Sequence, residues 1–222
     1  MTSHRQDLQQ QLDDGARQLG LDLPDACLEQ LLDYLALLQK WNVVYNLTAV
    51  RDAQHMLTHH LLDCLAALHA FVGAKRVLDV GSGGGLPGMV IAIWASWSAP
   101  GMQVDLIDTV HKKTAFLTQA KAQLRLDNLT VHTGRVEQLV TEHAFDIITS
   151  RAFAALSDFV SLSGHLLRAG GKMIAMKGPA FETELLSLPA AWRHEATEKL
   201  SVPAMAGERY LITLTRTHET GN

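Results

Sequence analysis

Residues 77–90 read VLDVGSGGGLPGMV: an apolar run carrying one acid, a cluster of glycines, then a proline opening a second apolar run. This order predicts a short buried strand, a tight glycine turn, and a helix with Pro87 as its first residue. The stretch decides the fold because the chain beyond it repeats the theme. MQVDLID (102–108), LTVHTG (129–134), FDIITS (145–150), GKMIAMKG (171–178) and YLITLTR (210–216) read as strands. TAFLTQAKAQL (114–124) and LSDFVSLSGHLL (156–167) read as helices between them. Alternation of this kind builds a parallel sheet covered on both faces. The last strand follows a short loop and fits an antiparallel addition.

Upstream, the chain is helical in character. Leu28, Leu31, Leu32, Leu35 and Leu38 fall at helical spacing after Pro24. The pattern breaks near Asn46 and Thr48 and restarts near Asp52. The expected organisation is a helical cap over 1–70 and one compact α/β unit over 71–222. With 47% hydrophobic and 19% charged residues among 222, a sizeable core is expected. Cys27 and Cys64 stand far apart and outside any zinc-like spacing, which suits buried thiols in a reducing compartment. The polar start lacks a signal-peptide core, and the longest apolar run, MVIAIWASW (89–97), is roughly half a membrane span. A soluble, cytoplasmic protein without membrane association is expected. A net charge of −4 argues against a general nucleic-acid coat, though not against local recognition of a folded RNA.

The loop contains G-x-G-x-x-G as Gly83, Gly85 and Gly88, a weak dinucleotide signal by itself. No Gly-Lys-Ser/Thr follows, so a P-loop is excluded. Asp79 bears on the choice that remains. A carboxylate there would repel a pyrophosphate approaching the helix N-terminus, yet would favour an ammonium or sulfonium. S-adenosylmethionine carries both cations and no phosphate. Gly81, Gly83 and Gly85 would then bring backbone against it, Asp108 would accept the ribose hydroxyls, and Val136 with Glu137 would lie at the adenine edge. Plain structural roles compete: Asp79 as a turn-capping acid, Asp108 as an N-cap, Glu137 as a first-turn helix acid. His59, His60 and Asp63 have a metal-like spacing, but nothing completes a site, and no metal is expected.

The chain resembles the bacterial small-subunit ribosomal RNA methyltransferase G family, also called GidB. The resemblance rests on KWNVVYNLTAVRD (40–52), HHLLDCL (59–65), VLDVGSGGGLPG (77–88), LIDTVHKKTAFL (106–117), GRVEQL (134–139), ITSRAFAAL (148–156), MKG (176–178) and GERYL (207–211). It implies a class I S-adenosylmethionine-dependent methyltransferase fold: a Rossmann-like, seven-stranded, mostly parallel sheet with the last strand inserted antiparallel. It also implies methylation of N7 of one guanosine in the decoding-region loop of 16S rRNA. By motif, Gly81, Leu86, Val136, Glu137 and Arg151 would contact the cofactor. Ser82 and Gly84 are small departures from the family's loop, whereas Thr109 to Lys113 differ from its usual Asp-Ser…Lys-Arg form and put one arginine contact in doubt.

Guanine N7 carries a free lone pair, so positioning in line with the methyl is the main requirement. ITSRAF lacks the motif expected for exocyclic amines, and neither cysteine sits where pyrimidine-ring attack needs one. Arg151 and Lys177 are the candidate catalytic residues, while Arg135, Lys112, Lys113 and Lys177 are candidates to hold RNA phosphates. Phe153 offers either a stacking surface or core packing, and Trp41, Asn42 and Asn46 either an RNA face or core. The implied partner is 16S rRNA within the small ribosomal subunit or its assembly intermediate, with weak affinity for bare RNA and no obligate protein partner. A methyltransferase of another substrate, or a module that binds cofactor without turnover, are the alternatives.

Overall fold

The computed structural model describes residues 2–151, 153 and 155–217. Helices α1 (Thr2–Gln18) and α2 (Asp25–Tyr45) open the chain. The leucine stripe of α2 is buried, and the helix stops where Asn46 adopts the left-handed conformation that few residues tolerate. Asp52 then caps a helical run by accepting from the amides of Gln54 and His55. That run comprises α3 (Ala53–Met56), a π-helical turn (Leu57–Leu62) and α4 (Asp63–Ala66).

The α/β part follows as β1 (Arg76–Val80), α5 (Gly88–Ser98), β2 (Gln103–Asp108), α6 (His111–Leu124), β3 (Leu129–Thr133) and β4 (Phe145–Ser150). It ends with α7 (Leu156–Ser163), β5 (Leu167–Lys177), α8 (Glu182–Leu185), β6 (Trp192–Leu200) and β7 (Arg209–Arg216). The seven strands are ordered β3-β2-β1-β4-β5-β7-β6. All neighbours are parallel except β7, which runs antiparallel between β5 and β6. Strand order reverses between β1 and β4, and the crevice beyond their carboxyl ends is where such sheets bind ligands.

Sequence periodicity does not reveal β6. Its nine residues, WRHEATEKL, bury only their ends, because an edge strand wants charges that discourage further pairing. The helix expected to open with Pro87 begins at Gly88, whose amide is taken by Asp79. The two faces of the sheet have separate cores. One gathers Leu78, Ile148, Phe159, Met173 and Ile212. The other joins Val77, Ile91, Leu106 and Phe116 to Leu12, Leu31, Leu38, Met56 and Leu61 of the helical segment.

Candidate active site

The glycine loop is tied to the neighbouring strand before any ligand is considered. The amides of Gly81 and Ser82 donate to the Ile107 carbonyl at 2.9 and 3.1 Å. Gly81, Gly83 and Gly85 have φ of 69°, 57° and 97°, in the left-handed region. The glycines differ in what surrounds them. A Cβ on Gly85 would stand 2.3 Å from Met89 Cγ and 2.8 Å from Leu117 Cδ2, so this glycine serves packing. On Gly83 it would meet nothing closer than a backbone oxygen at 3.8 Å, leaving the open side of the loop to a ligand. On the far side the buried Tyr34 hydroxyl of α2 donates to the Gly84 carbonyl at 2.6 Å. Leu86 is buried.

Asp79 ends β1 fully buried. One carboxylate oxygen accepts from Gly88 N at 2.8 Å, so the protein's own acid occupies the start of α5 where a pyrophosphate would dock. The other oxygen, Oδ1, has no hydrogen-bond partner among the described residues. Burial pushes the carboxyl up to about 7, against the opposing pull of the Gly88 amide and of Arg151. A buried, half-satisfied carboxylate is a receptor for a cation with hydrogens to donate, which is what the ammonium of S-adenosylmethionine offers. The residues present therefore fit that group.

Asp108 ends β2. Its Oδ2 accepts from Gly83 N at 2.9 Å and lies 3.8 Å from Lys113 Nζ, while Oδ1 accepts from Val110 N at 2.8 Å. The cap position of α6 is Val110 rather than Asp108, so the acid braces the loop instead of starting the helix. Two further lone pairs remain for ribose hydroxyls. Beyond β3, Val136 is buried and Glu137 is partly exposed on a 3-10 turn (Val136–Gln138). Glu137 is held below the usual carboxylate range by its own backbone amide and by Arg135, which pairs with it at 3.0 Å. Arg135, a candidate for phosphate, is thus engaged with its neighbour, whereas Lys112 is exposed on α6.

Past β4, Arg151 turns toward the helical segment, and Lys177 toward α8. Arg151 Nη1 donates to Asp63 Oδ2 at 3.1 Å and to the His59 carbonyl at 3.1 Å. Lys177, at the end of β5, donates to the Phe153 carbonyl at 2.9 Å and to Glu184 of α8 at 2.7 Å. Its bonds join Phe153 to α8, and Glu184 also accepts from Leu156 N at 2.9 Å. Phe153 packs on Phe159 at 5.4 Å, the core role. Asn42 is buried and pins the 42–50 turn through Thr48 N and the Val50 carbonyl, while Trp41 stacks on Tyr45 and meets Phe116 at a tilt. Val43 and Val44 are exposed on that stretch, as are Tyr45, Asn46 and Ala49. Next to Arg151 and Lys177 opens a cavity of about 780 Å³ that also takes in Arg51, His55, His59 and Arg209. No group of histidines, cysteines and acids suited to a metal occurs among the described residues.

Arg209, Glu184 and Tyr34 do not announce themselves in the sequence as site residues, and Asp63 shows there only through its metal-like spacing with His59 and His60. Asp63 and Arg209 do lie in the HHLLDCL and GERYL stretches, and that was the available signal.

A seven-stranded sheet with β7 antiparallel inside its edge, a glycine loop after β1 and acids ending β1 and β2 define a class I methyltransferase architecture. The O-methyltransferase from Bacillus cereus, solved in complex with SAH, shares the fold at 17% identity with a TM-score of 0.55, over 83% of this chain and 91% of that one. TrmN from Thermus thermophilus matches at 19% identity and a TM-score of 0.54, over 72% of this chain but 53% of that longer one. The chain belongs to the GidB family, rRNA small subunit methyltransferase G, whose family model matches residues 27–212. It is similar to the ribosomal RNA small subunit methyltransferase G of Herminiimonas arsenicoxydans, with 61% identity over 203 residues, covering 91% of this chain and 93% of that protein.

Proposed function

We propose that this protein transfers a methyl group from S-adenosylmethionine to N7 of a guanosine in the decoding-region loop of 16S rRNA, within the small ribosomal subunit or its assembly intermediate. The observation that carries the reading is the unpartnered, buried Oδ1 of Asp79 beside the open side of Gly83, in a chain of this family. When bound, S-adenosylmethionine supplies an electrophilic methyl. The chain's own part is to bind and to aim. Asp79 accepts from the ammonium, Gly81 and Gly83 let backbone approach, Asp108 accepts from the ribose, and Val136 with Glu137 flank the adenine. Guanine N7 has its lone pair free, so no side chain needs to remove a proton before attack, and alignment supplies the acceleration.

Arg151, whose Nη1 is taken by Asp63 and the His59 carbonyl, keeps its remaining N–H groups for the acceptor nucleotide, at guanine O6 or at its phosphate. Lys177 acts from behind through its grip on Phe153 and Glu184. Cys64 is fully buried with its thiol pushed up by that burial, and Cys27 is pushed up to about 12 for the same cause. Neither is a nucleophile for a pyrimidine ring. The reading places the enzyme in the cytoplasm; no helix among the described residues is long and apolar enough to cross a membrane. The test is transfer of labelled methyl to unmodified small subunits, naked 16S rRNA and bulk protein, followed by base mapping. Label at guanine N7 of the subunit RNA is the expected result. Absence of label from every RNA refutes the function, and label at a pyrimidine or exocyclic amine refutes the N7 chemistry.

A further inference from the structure

The cavity described above lies between the 48–60 stretch and the ends of β4, β5 and β7. Resting on the RNA reading, we propose that it receives a backbone phosphate of the strand that carries the acceptor base, and that Asp63 is the positioning residue presenting Arg151 and Arg209 to that phosphate as a pair. Asp63 is fully buried and uses both oxygens: Oδ2 accepts from Arg151 Nη1 at 3.1 Å, Oδ1 from Arg209 Nε at 3.2 Å. One carboxylate thus holds two guanidiniums, and a full positive charge is left over.

The surplus is directed outward. The Arg151 and Arg209 side chains remain 25% and 32% exposed and both line the cavity. Their Nη2 groups make no hydrogen bond among the described residues, while Arg209 Nη1 makes a long 3.5 Å contact to the Glu208 carbonyl. Paired arginines with spare N–H groups match phosphate geometry better than an ammonium does. Arg51 adds charge at the rim, its one described bond a weak 3.4 Å contact to Asn46. Asp52 is the facing acid, already engaged by His55 and the amides that follow it. Lys177 contributes little net charge because Glu184 neutralises it.

The wall opposite the strands is built to hold this arrangement. His60 links the His59 carbonyl to the Thr48 hydroxyl, at 2.9 and 2.8 Å. The π-helical turn Leu57–Leu62 comes immediately before Asp63 and supplies the His59 carbonyl to Arg151. Single π-turns inside helices are often found where a helix has been adapted to function.

The test uses the full-length enzyme, S-adenosylmethionine and unmethylated small subunits, with Arg209→Gln, Arg51→Gln, Arg209→Lys and Asp63→Asn. For Arg209→Gln, the expected outcome is a KM for subunits raised about tenfold, kcat within about twofold, and a salt-dependence slope of subunit binding smaller by about one. Arg51→Gln lowers the slope likewise. Arg209→Lys restores the slope but only part of the KM, since the charge returns without the fork. Asp63→Asn raises KM although it touches no RNA; should it fail to fold, Arg209→Gln decides alone. Unchanged KM and slope in Arg209→Gln, with wild-type enzyme methylating rRNA normally, overturn this proposal and leave the function standing. Wild-type enzyme that methylates no rRNA overturns both.

Discussion

With Asp79 receiving the cofactor's ammonium as proposed, cofactor binding becomes a proton-linked event. In the free enzyme its carboxyl is pushed up to about 7 by burial, so it holds a proton over much of the range below neutrality. A bound ammonium needs the ionised form, and each bound cofactor then displaces that proton. Between pH 7.5 and 5.5 the ionised fraction falls about 25-fold, which weakens affinity by about 2 kcal/mol. The ligand's own amine, with an ordinary pKa of about 7.7, is half deprotonated there, so the measurement is kept at or below pH 7.5. Isothermal titration in two buffers of different ionisation enthalpy reads both affinity and proton release. Asp79→Asn should bind weakly and without pH dependence. Affinity flat within about twofold from pH 5.5 to 7.5 in the wild type would show that Asp79 does not meet the cation.

The same residue leaves a mark on stability. Because its folded-state value is raised from 3.8, the folded protein holds the proton longer than the unfolded chain. Its contribution declines as pH rises from about 4 through 7, by up to roughly 4 kcal/mol. Urea melts of the cofactor-free wild type against Asp79→Asn isolate this, the variant gaining relative stability toward pH 8. His60 has the opposite sign. Burial, helped by Arg151, lowers it to about 4, so its contribution is full above 6.5 and is lost as pH falls toward 4. His60→Gln should flatten the acid limb of the stability profile by up to about 3 kcal/mol. Gly88→Ala would place a Cβ 2.1 Å from Leu106 Cδ2 and 2.9 Å from Asp79, and a loss of about 2 kcal/mol or more in melts, with cofactor binding, is expected. Gly83→Ala, at φ 57° in open space, should cost roughly 1–2 kcal/mol in stability but lose far more in cofactor affinity by titration. Tyr34→Phe strands the buried Gly84 carbonyl, costing about 1–3 kcal/mol in urea melts and raising KM for S-adenosylmethionine.

The strands, the glycine turn and the acids at strand ends were legible because each follows from local periodicity or from the ligand chemistry of one position. What escaped was either local but uninformative or informative but remote. β6 has no apolar alternation, since an edge facing water carries none. Asp63 reaches its two arginines across 88 and 146 residues, so no spacing rule finds the triad. The glycines show a subtler limit. Gly83 and Gly85 look equivalent in G-x-G-x-x-G, yet Met89 and Leu117 fill the space beside Gly85 while Gly83 faces outward. Lys177 and Arg135 were read for their phosphate chemistry, and their pairing with Glu184 and Glu137 was not legible; α8, which brings Glu184, is a four-residue helix too short to leave a pattern.

The hydrogen bond from Tyr34 to Gly84 bears on how this chain can be cut. An expression fragment starting near residue 71 would keep every strand and the acids that end β1 and β2, and would look complete on paper. It would also bare Ile91 and Phe116, strip the rear brace from the glycine turn, and leave Arg151 and Arg209 without the carboxylate between them. Such a fragment should aggregate rather than serve as a minimal methyltransferase.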